Sequence, residues 1–368
     1  MTDSPPDLSD ADRSLMQRAL ELAQRGLYTT DPNPRVGCVI AREGVIVGEG
    51  FHARAGEPHA EPRALAAAGE KARGATAYVT LEPCNHHGRT PPCTEALVAA
   101  GIGRVVYGAR DPNPRVSGAG EERLRRAGLD VAGGLLAEAS RELNCGFMKR
   151  MEQGLPWVRV KLAMSLDGRT ALANGESRWI TADTARKDAQ RYRARSSAIV
   201  TGIGTVLGDD PAMNVRLPEC DRQPWRVVLD SRLRTPPASR IIDRDGQVLV
   251  FGTQDDPARR AALEAKSALV EILPAVEGRI DLKAVLARLA RLEMNEVWVE
   301  AGPALAGAFV RAGLFDELVV YVAPSLIGGD AMPLVRLPGI GKLDDRLRLR
   351  FTDIQQVGDD LRLTLRPL

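Results

Sequence analysis

The sequence has little of the residue types that point to nucleic acid or to a membrane. Aromatic residues are 4% of its 368 residues, which leaves few side chains for stacking bases, and the net charge is only +2. No apolar run approaches the roughly 18 residues that a membrane span needs. The acidic start MTDSPPDLSD does not resemble a signal peptide. We therefore expect neither nucleic acid nor a membrane as a partner.

Cysteine and lysine are also scarce. The five cysteines are an odd number in a long chain, which favours reduced thiols over a disulfide framework and predicts a cytoplasmic protein. Only seven residues are lysine, and one of them, Lys161, lies in the strand-like run VRVKLAM. A charged side chain at such a position needs a partner or a role.

The apolar content of 44% is typical of a globular protein. At 368 residues the chain is too long for one ordinary core, so we expect two domains. Strand and helix patterns alternate along both halves, which predicts an α/β protein with largely parallel sheets covered by helices. The run EQGLP at 152–156 interrupts the pattern. We expect a disordered tail at 1–10, a first domain at 11–150 and a second domain at 151–368.

The predicted elements of the first domain begin with a helix capped by Ser9 or Asp10. They continue with a hairpin at 36–50, a helix from His59 to about Arg73, a strand at 75–81, a helix from Cys93, a strand at 104–110, a helix that ends at Gly128 and a final helix at 140–150. In the second domain we expect strands from Trp157, at 196–202, 225–230, 247–252, 296–302 and 316–324. The hexapeptide DPNPRV occurs at 31–36 and again at 111–116 with different flanks, so both copies predict turns rather than a repeat fold.

Histidine and cysteine concentrate in the first domain. HAE at 59–61 is followed by Pro83-Cys84 and then Cys93, which matches the zinc-deaminase pattern H-x-E…P-C-x-x-C except that eight residues separate the cysteines instead of two. His59, Cys84 and Cys93 would supply three zinc ligands and leave a fourth position for water. We expect each of them near a helix start. Glu61 could take a proton from that water, pass it to a ring nitrogen and later protonate departing ammonia.

Two alternatives to a catalytic zinc site stay open at this point. The first is a closed structural zinc site with His86 or His87 as the fourth ligand, and the second is no metal at all. Glu61 at the right offset and the proline before Cys84 favour the catalytic interpretation.

The second domain has two glycine-bearing turns after strands. TGIGTVLGDDP at 201–211 nearly forms G-x-G-x-x-G, and EAGPALAGAF at 300–309 leads from a strand into a helix. Their backbone N–H groups could bind a pyrophosphate, or they could only cap helices. Asp230 ends a strand as in NAD sites, yet Arg232 and Arg234 could meet a 2′-phosphate, so these residues leave the cofactor open.

Several motifs together carry a family resemblance. NPRVGCVI, the run GFHARAGEPHAE at 50–61 and TLEPCNHHGRTPPC resemble the deaminase half of the RibD family of bifunctional riboflavin-biosynthesis deaminase/reductases. VKLAMSLDGRTA, GESRWIT, TGIGTVLGDDPAMNVR and VWVEAGPALAGA are similar to its reductase half. The resemblance implies an N-terminal cytidine-deaminase-like three-layer domain and a C-terminal dihydrofolate-reductase-like α/β domain. It also implies one Zn²⁺ per chain and NADPH.

The resemblance further implies roles for individual residues. Deaminase substrate contacts would be Asn33, His52, His86 and Arg89, with Arg89 near the substrate phosphate. NADP contacts would be Ala163, Trp179, Thr205, Asp209, Ser231 and the turn of Gly302, Pro303, Ala304, Leu305, Ala306, Gly307 and Ala308. Reductase substrate contacts would be Ser177, Arg193, Met213, Arg216 and Glu300, of which the two arginines suit the ribose phosphate. Lys161 and Asp209 are our candidates for proton transfer or sugar-hydroxyl contacts.

We therefore expect two reactions on one phosphorylated pyrimidine. The first is hydrolytic deamination of 2,5-diamino-6-(5-phosphoribosylamino)-4(3H)-pyrimidinone, and the second is NADPH-dependent reduction of its ribosyl group to ribityl. We also expect a homo-oligomer, either a dimer or a tetramer. The rival hypotheses are a nucleic-acid base deaminase with an unrelated fused domain and a non-catalytic regulator with a structural zinc.

Overall fold

The computed structural model describes residues 8–86, 91–113 and 117–368. Its packing divides the chain into two compact units, Met1–Gly154 and Leu155–Leu368. The boundary that we predicted at 150/151 falls within the last helix of the first unit. Of the predicted tail, residues 1–7 lie outside the described residues. No helix in the described ranges is both long and apolar enough to cross a membrane.

The first unit is built on one mixed sheet. Its helices and strands are α1 (Asp10–Gln24), β1 (Gly37–Arg42), β2 (Val45–Phe51), α2 (Ala60–Ala68), β3 (Thr76–Leu81), α3 (Cys93–Ala99), β4 (Arg104–Ala109), α4 (Ala119–Arg126), β5 (Asp130–Gly133), α5 (Ala137–Leu143) and α6 (Cys145–Gln153). Within the described residues the strand order is β2-β1-β3-β4-β5. Strands β3 to β5 are parallel, as predicted, whereas β1 is antiparallel to both neighbours. The short turn between β1 and β2 requires the antiparallel pairing of these two strands, because adjacent strands joined by a tight turn must run in opposite directions.

Local sequence accounts for the two helices that cover this sheet near the histidines. Ser9 caps α1 and forms a capping box with Asp12, which confirms the predicted helix start. Helix α2 lies at backbone distance from β2, since a Cβ on Gly50 would be 2.4 Å from the carbonyl oxygen of Ala60. This close packing holds the first turn of α2, and with it His59, directly over the hairpin.

The predicted final helix at 140–150 is wrong, because the chain breaks between α5 and α6 at Asn144. The buried Asn144 side chain accepts a hydrogen bond from Arg35 N at 2.8 Å and donates one to Arg35 O at 2.9 Å. The Asn144 amide therefore pairs with the backbone of the 31–36 loop as a neighbouring strand would. The helix from His59 is also shorter than predicted, since α2 ends at Ala68 and a 3₁₀ turn follows over Gly69–Ala72.

The second unit is built on a wide, mostly parallel sheet. Its elements are β6 (Trp157–Ser165), β7 (Arg169–Ala171), α7 (Asp183–Arg195), β8 (Ala198–Gly202), α8 (Ile203–Asp209), β9 (Trp225–Leu229), β10 (Val248–Gly252), α9 (Pro257–Glu264), β11 (Leu269–Ile272), β12 (Ala275–Val276), β13 (Arg279–Ile280), α10 (Leu282–Arg291), β14 (Glu296–Glu300), α11 (Pro303–Arg311), β15 (Glu317–Ala323), β16 (Met332–Pro333), β17 (Leu349–Val357) and β18 (Asp360–Pro367). The order of the large sheet is β11-β10-β9-β8-β14-β6-β15-β18-β17. Only the β17–β18 hairpin at its edge is antiparallel.

A buried ionic network fixes the start of the three central strands of this sheet. Arg159 on β6 forms ion pairs with Glu296 on β14 and Glu317 on β15, and all three side chains are at most 7% exposed. Burial alone would raise the pKa of Glu317, but the nearby Arg159 and Arg366 guanidinium groups hold it at about 2. The network lies at the opposite ends of the strands from the predicted reductase site.

Candidate active sites

The predicted zinc ligands come together in the first unit. His59 Nδ1 lies 3.3 Å from Cys93 Sγ and 3.6 Å from Cys84 Sγ. His59 is the N-cap of α2 and Cys93 is the first residue of α3, as predicted. Cys84 was also expected near a helix start, and that prediction is wrong, because it lies in the extended segment after β3. Its sulfur still reaches a helix start, since Cys93 N donates to Cys84 Sγ at 3.4 Å.

The donor set fits zinc in type and in spacing. In a tetrahedral site with Zn–S of 2.3 Å and Zn–N of 2.0–2.1 Å, sulfur and nitrogen are separated by about 3.6 Å. The hydrogen bond from Cys93 lowers the pKa of Cys84 to about 4, while that same bond and burial raise the pKa of Cys93. The hydrogen bond with Cys84 also raises the pKa of His59. The lowered pKa of Cys84 favours the thiolate, which is the form of cysteine that binds metals.

Glu61 lies beside the cluster without belonging to it. It occupies the first turn of α2, is 3% exposed and interacts with Cys93. Burial raises the pKa of its carboxyl group, and the negative charge of Cys84 adds to this effect. A carboxyl group with a raised pKa can both accept and return a proton at neutral pH, as a deaminase requires.

Two of the predicted substrate residues are linked to the same cluster. The Asn33 side-chain amide nitrogen lies 3.0 Å from His52 Nε2, and His52 Nδ1 lies 3.3 Å from Pro58 O. Burial lowers the pKa of His52, so its ring is neutral, donates to Pro58 O and accepts from Asn33. The rings of His52 and His59 meet edge to face at 5.2 Å. Asn33 and the metal ligand are thus connected through one histidine.

The other two predicted contacts of the deaminase substrate are His86 and Arg89. Nδ1 of His86 is buried and has no hydrogen-bond partner within the described ranges. A polar atom in that condition is available to a bound ligand. Arg89 lies outside the described residues, so its contact with the substrate phosphate stays a prediction.

In the second unit the predicted residues follow neighbouring strands. Ser231 comes after β9, Thr205 lies in the helix after β8, Gly302 comes after β14, and Ala163 lies on β6. These four strands are consecutive in the sheet order β9-β8-β14-β6 and run parallel. Ligands of open parallel sheets bind at the carboxyl ends of the strands, which is the edge that these residues share.

Two helix starts at this edge fit a dinucleotide. Gly202 caps α8 and Gly302 caps α11, and the Leu305 side chain packs against Gly202, so the two turns adjoin. Both helices leave first-turn N–H groups without intrahelical partners, as an anion site requires. Gly302 and Ala304 are exposed, whereas Ala306 and Gly307 are buried within α11 and Ala308 is also inside the helix. Contact with a cofactor would therefore come from the first part of this turn, Gly302 to Leu305.

The G-x-G-x-x-G near-match does not form a dinucleotide-binding turn of that type. Gly202 ends β8 and Gly204 and Gly208 lie within the short helix α8. Asp230 is also unavailable as a ribose acceptor, because its buried carboxylate accepts hydrogen bonds from Thr235 N at 2.7 Å and Thr235 Oγ1 at 2.8 Å. The structure therefore argues against the NAD-type acidic contact at the end of β9.

Glu300 is the centre of the predicted substrate cluster. Arg193 binds it through two hydrogen bonds, Nε to Oε1 at 2.6 Å and Nη2 to Oε2 at 2.7 Å, and Trp298 Nε1 donates to Oε1 at 2.6 Å. Lys161 is the register partner of Glu300 on the adjacent strand. Burial would raise the pKa of Glu300, but Arg193 and Lys161 hold it at about 2. Burial lowers the pKa of Lys161, and the Glu300 charge offsets part of that change.

The two predicted phosphate-binding arginines, Arg193 and Arg216, differ in how strongly their guanidinium groups are already bound to other residues. Arg193 is committed to Glu300 and also donates to Asn214 O at 2.9 Å, with Met213 Sδ 3.7 Å from its Nη2 atom. Arg216 is exposed, and its Nη1 atom makes one long hydrogen bond of 3.4 Å to Asn214 Oδ1. Arg216 is therefore better placed than Arg193 to bind an incoming phosphate.

The remaining predicted residues lie on the exposed loop between β7 and α7 and at the end of α8. Arg178 binds both the carbonyl oxygen of Asp209, at 2.7 Å, and its Oδ1 atom, at 3.3 Å. Trp179 follows Arg178 directly and is 68% exposed, with the Arg186 guanidinium 4.2 Å from its ring. Ser177 precedes Arg178. The Arg178 contact thus brings Ser177, Trp179 and Asp209 to one place.

Sequence reasoning missed Glu82 and Asn144, which hold the loops around the first site. Glu82 is 2% exposed, and its carboxylate accepts four backbone hydrogen bonds. Its one sequence signal was a carboxylate immediately before Pro83-Cys84 at the end of an apolar strand. Asn144 had no comparable signal.

Comparison with known proteins assigns both halves of the chain. Residues 9–109 match the family described as the cytidine and deoxycytidylate deaminase zinc-binding region, and residues 156–363 match the RibD C-terminal domain. The chain is 52% identical to the riboflavin biosynthesis protein RibD of Escherichia coli, over 96% of this chain and 99% of that protein. Identity to the same protein of Haemophilus influenzae is 46%, over 98% and 99%.

Solved structures agree with this result. An Acinetobacter baumannii RibD structure superposes with a TM-score of 0.91 at 45% identity, covering 97% of this chain and 99% of that one. A diaminohydroxyphosphoribosylaminopyrimidine deaminase/5-amino-6-(5-phosphoribosylamino)uracil reductase from Thermotoga maritima superposes with a TM-score of 0.86 at 32% identity, covering 97% and 98%.

Proposed function

The chain belongs to the RibD family of bifunctional riboflavin-biosynthesis enzymes, and we propose that its deaminase reaction takes place at the His59, Cys84 and Cys93 cluster. The enzyme is a zinc-dependent pyrimidine deaminase and an NADPH-dependent reductase that acts on a small molecule. It deaminates 2,5-diamino-6-(5-phosphoribosylamino)-4(3H)-pyrimidinone to 5-amino-6-(5-phosphoribosylamino)uracil and then reduces the ribosyl group to ribityl. The relatives match across both halves, which leaves no support for a nucleic-acid deaminase or a non-catalytic regulator.

One observation supports the assignment of the first site: three zinc-type donor atoms lie within 4.8 Å of one another, and a buried carboxyl group lies beside them. Zinc held there supplies a water whose pKa is lowered to about 7. Glu61 would take a proton from this water on its carboxylate and give it to a ring nitrogen of the pyrimidine. It would then carry the proton of the added hydroxyl group to the amino group, which leaves as ammonia as the C=O bond forms. We assign the orientation of the pyrimidine ring to Asn33 and His52, whose side chains contact each other at 3.0 Å.

Glu61→Gln tests this role. The variant should bind zinc as the wild type does, while ammonia release falls about 10²-fold to 10⁴-fold, the usual contribution of a positioned proton-transfer group. Glu57→Gln is the matched control, because Glu57 lies nearby on the preceding loop and pairs with Arg63 at the surface. Unchanged ammonia release by Glu61→Gln with zinc bound would contradict the assignment.

For the reductase reaction we propose that Lys161 supplies the proton and Arg216 binds the phosphate. When bound, NADPH supplies a hydride for C1′ of the sugar. Lys161 faces Glu300, and its lowered pKa makes its ammonium group a better acid than an ordinary lysine. The ion pair of Asp209 with Arg178 favours a hydrogen-bonding role for that carboxylate instead. Arg193 then orients Glu300 rather than contacting the phosphate.

Lys161→Met tests the proton-transfer role. NADPH oxidation on the deaminated intermediate should fall at least about 10²-fold, while NADPH binding, followed by its fluorescence, stays within a few fold of the wild type. Lys187→Met is the control, because Lys187 is an exposed lysine on α7 of the same unit. Equal loss of cofactor binding and turnover would point to a disrupted sheet instead of a missing acid.

Three further assignments are also proposals. We assign the deaminase to residues 11–150 and the reductase to residues 151–368. The unbridged state of all five cysteines supports a cytoplasmic location.

A homo-oligomer is supported by the edge strand β17, on which Phe351 is 59% exposed and Ile354 is 58% exposed. Sedimentation should show dissociation when both are replaced by glutamate, and an unchanged mass would exclude this edge as the interface.

A further inference from the structure

Glu82 places a fully buried carboxylate at the end of β3 without a close cationic partner among the described residues. Its Oε1 atom accepts hydrogen bonds from Gly120 N at 3.2 Å and Glu121 N at 3.3 Å. Its Oε2 atom accepts from Gly118 N at 3.1 Å and, more weakly, from Asp111 N at 3.4 Å. The Arg110 guanidinium approaches only to 4.0 Å. The carboxyl group is therefore held mainly by backbone N–H groups at the start of α4.

These donors all belong to one segment, 111–121. It begins with the second DPNPRV copy, of which 114–116 lie outside the described residues, and it ends in the first turn of α4. Glu82 N also donates to Ala109 O at 2.9 Å, so both its backbone and its side chain are bound to the chain that leaves β4.

The contact continues to the metal ligand. A Cβ added to Gly120 would lie 2.1 Å from Pro83 O, so the start of α4 rests directly on the peptide that joins Pro83 to Cys84. On its other side, Cys84 accepts hydrogen bonds from α3: Thr94 N donates to Cys84 O at 3.2 Å, and Cys93 N donates to Cys84 Sγ. Cys84 is thereby held between the starts of two helices.

We propose that Glu82 is a positioning residue for zinc: by fixing the start of α4, residues 118–121, against Pro83, it sets the distance of Cys84 Sγ from His59 and Cys93. The inference rests on the zinc site proposed above. Residues that orient metal ligands typically change metal affinity about 10-fold to 100-fold when they are replaced.

Glu82→Gln in the full chain is the primary test. Glutamine has the same shape but presents an NH₂ group to N–H donors and removes the charge. We expect the zinc Kd, measured by competition with a chromophoric chelator, to rise about 10-fold or more. We expect the zinc-induced increase in the melting temperature of the first unit to shrink accordingly. NADPH oxidation on the deaminated intermediate, which takes place in the other unit, should not change.

Three more variants complete the design. Glu122→Gln is the matched control, because Glu122 lies on the same helix and pairs with Arg126 at the surface, and it should bind zinc as the wild type does. Gly120→Ala disturbs the same contact from the opposite side by pushing on Pro83 O, and it should also weaken zinc binding. Glu82→Asp keeps the charge and should recover part of the affinity that Glu82→Gln loses.

The outcomes separate three explanations. If Glu82→Gln lowers the melting temperatures of the apo and zinc-bound proteins equally and leaves the zinc Kd unchanged, Glu82 has only a general structural role and the inference is wrong. A wild-type Kd for Gly120→Ala would also count against it. If the wild-type chain itself binds no zinc, or Cys84→Ser binds it equally well, the proposed metal site fails instead.

Discussion

Replacing Glu300 with glutamine should destabilise the second unit by a predictable amount. The substitution leaves Arg193 and Lys161 facing each other without the carboxylate between them. The pKa of Glu300 falls from 4.5 to about 2 on folding, and at about 1.4 kcal/mol for each pKa unit this difference is worth about 3 kcal/mol at pH 7. The side chain is only 14% exposed, so solvent screening is weak.

The sign of the pH dependence follows from the direction of the shift. A carboxyl group with a depressed pKa contributes its stability above the pKa of the unfolded state, 4.5, and loses it as the pH falls toward 2. The free-energy difference between wild type and Glu300→Gln should therefore be constant from pH 7 to about pH 5.5. It should shrink to about 2 kcal/mol at pH 3.5.

Urea unfolding followed by tryptophan fluorescence measures this difference in the intact chain. All four tryptophans, at 157, 179, 225 and 298, lie in the second unit, so the first unit contributes no signal. Glu264→Gln is the control, because Glu264 forms only a surface ion pair with Arg260 and should cost less than about 0.5 kcal/mol. A difference below 1 kcal/mol at pH 7, or one that does not change with pH, would refute the assigned electrostatics.

Three other outcomes are expected. Removing zinc with a chelator should abolish ammonia release and leave NADPH oxidation on the deaminated intermediate intact; parallel loss of both activities would contradict separate sites. Arg216→Gln should raise the KM for the phosphorylated substrate about 10-fold or more with little change in kcat, whereas an unchanged KM would exclude it as the phosphate ligand. Arg159→Met should lower the free energy of unfolding of the second unit by about 3–5 kcal/mol, because Glu296 and Glu317 would lose their shared buried partner, and unfolding within 1 kcal/mol of the wild type would argue against this network.

Elements with strong local signals were predictable from the sequence. The Ser9 cap, the hairpin of β1 and β2 and the buried apolar strands of both sheets all follow from capping, turn or hydrophobic patterns within a few residues. The zinc cluster was predictable for the same reason, because its motifs are local. HAE sets the spacing of His59 and Glu61, and Pro83 directly precedes the first cysteine. In the structure His59, Cys84 and Cys93 lie together and could hold a metal ion, so their role as zinc ligands stays a prediction that the geometry permits.

Features set by distant contacts were not predictable. The helix break at Asn144 has no glycine or proline beside it, and it is explained by hydrogen bonds to Arg35, 109 residues earlier. Glu82 likewise gave no sign of its partners, whose N–H groups come 29 to 39 residues later in the chain. Strand β17 escaped prediction because it lies at the sheet edge and its exposed polar residues mask any alternation of apolar side chains.

The interval between Cys84 and Cys93 has a consequence for engineering. The interval begins after the last residue of β3, Leu81, and ends at the first residue of α3, Cys93. It therefore lies outside the strands of the sheet. The zinc ligands lie outside this interval, whereas His86 and Arg89, two of the proposed substrate contacts, lie within it, so we expect the two sets to be variable separately. A designer could exchange the inserted NHHGRT for other sequences and screen for deaminases with new pyrimidine substrates, while the ligands, Glu61 and the Glu82 support remain fixed.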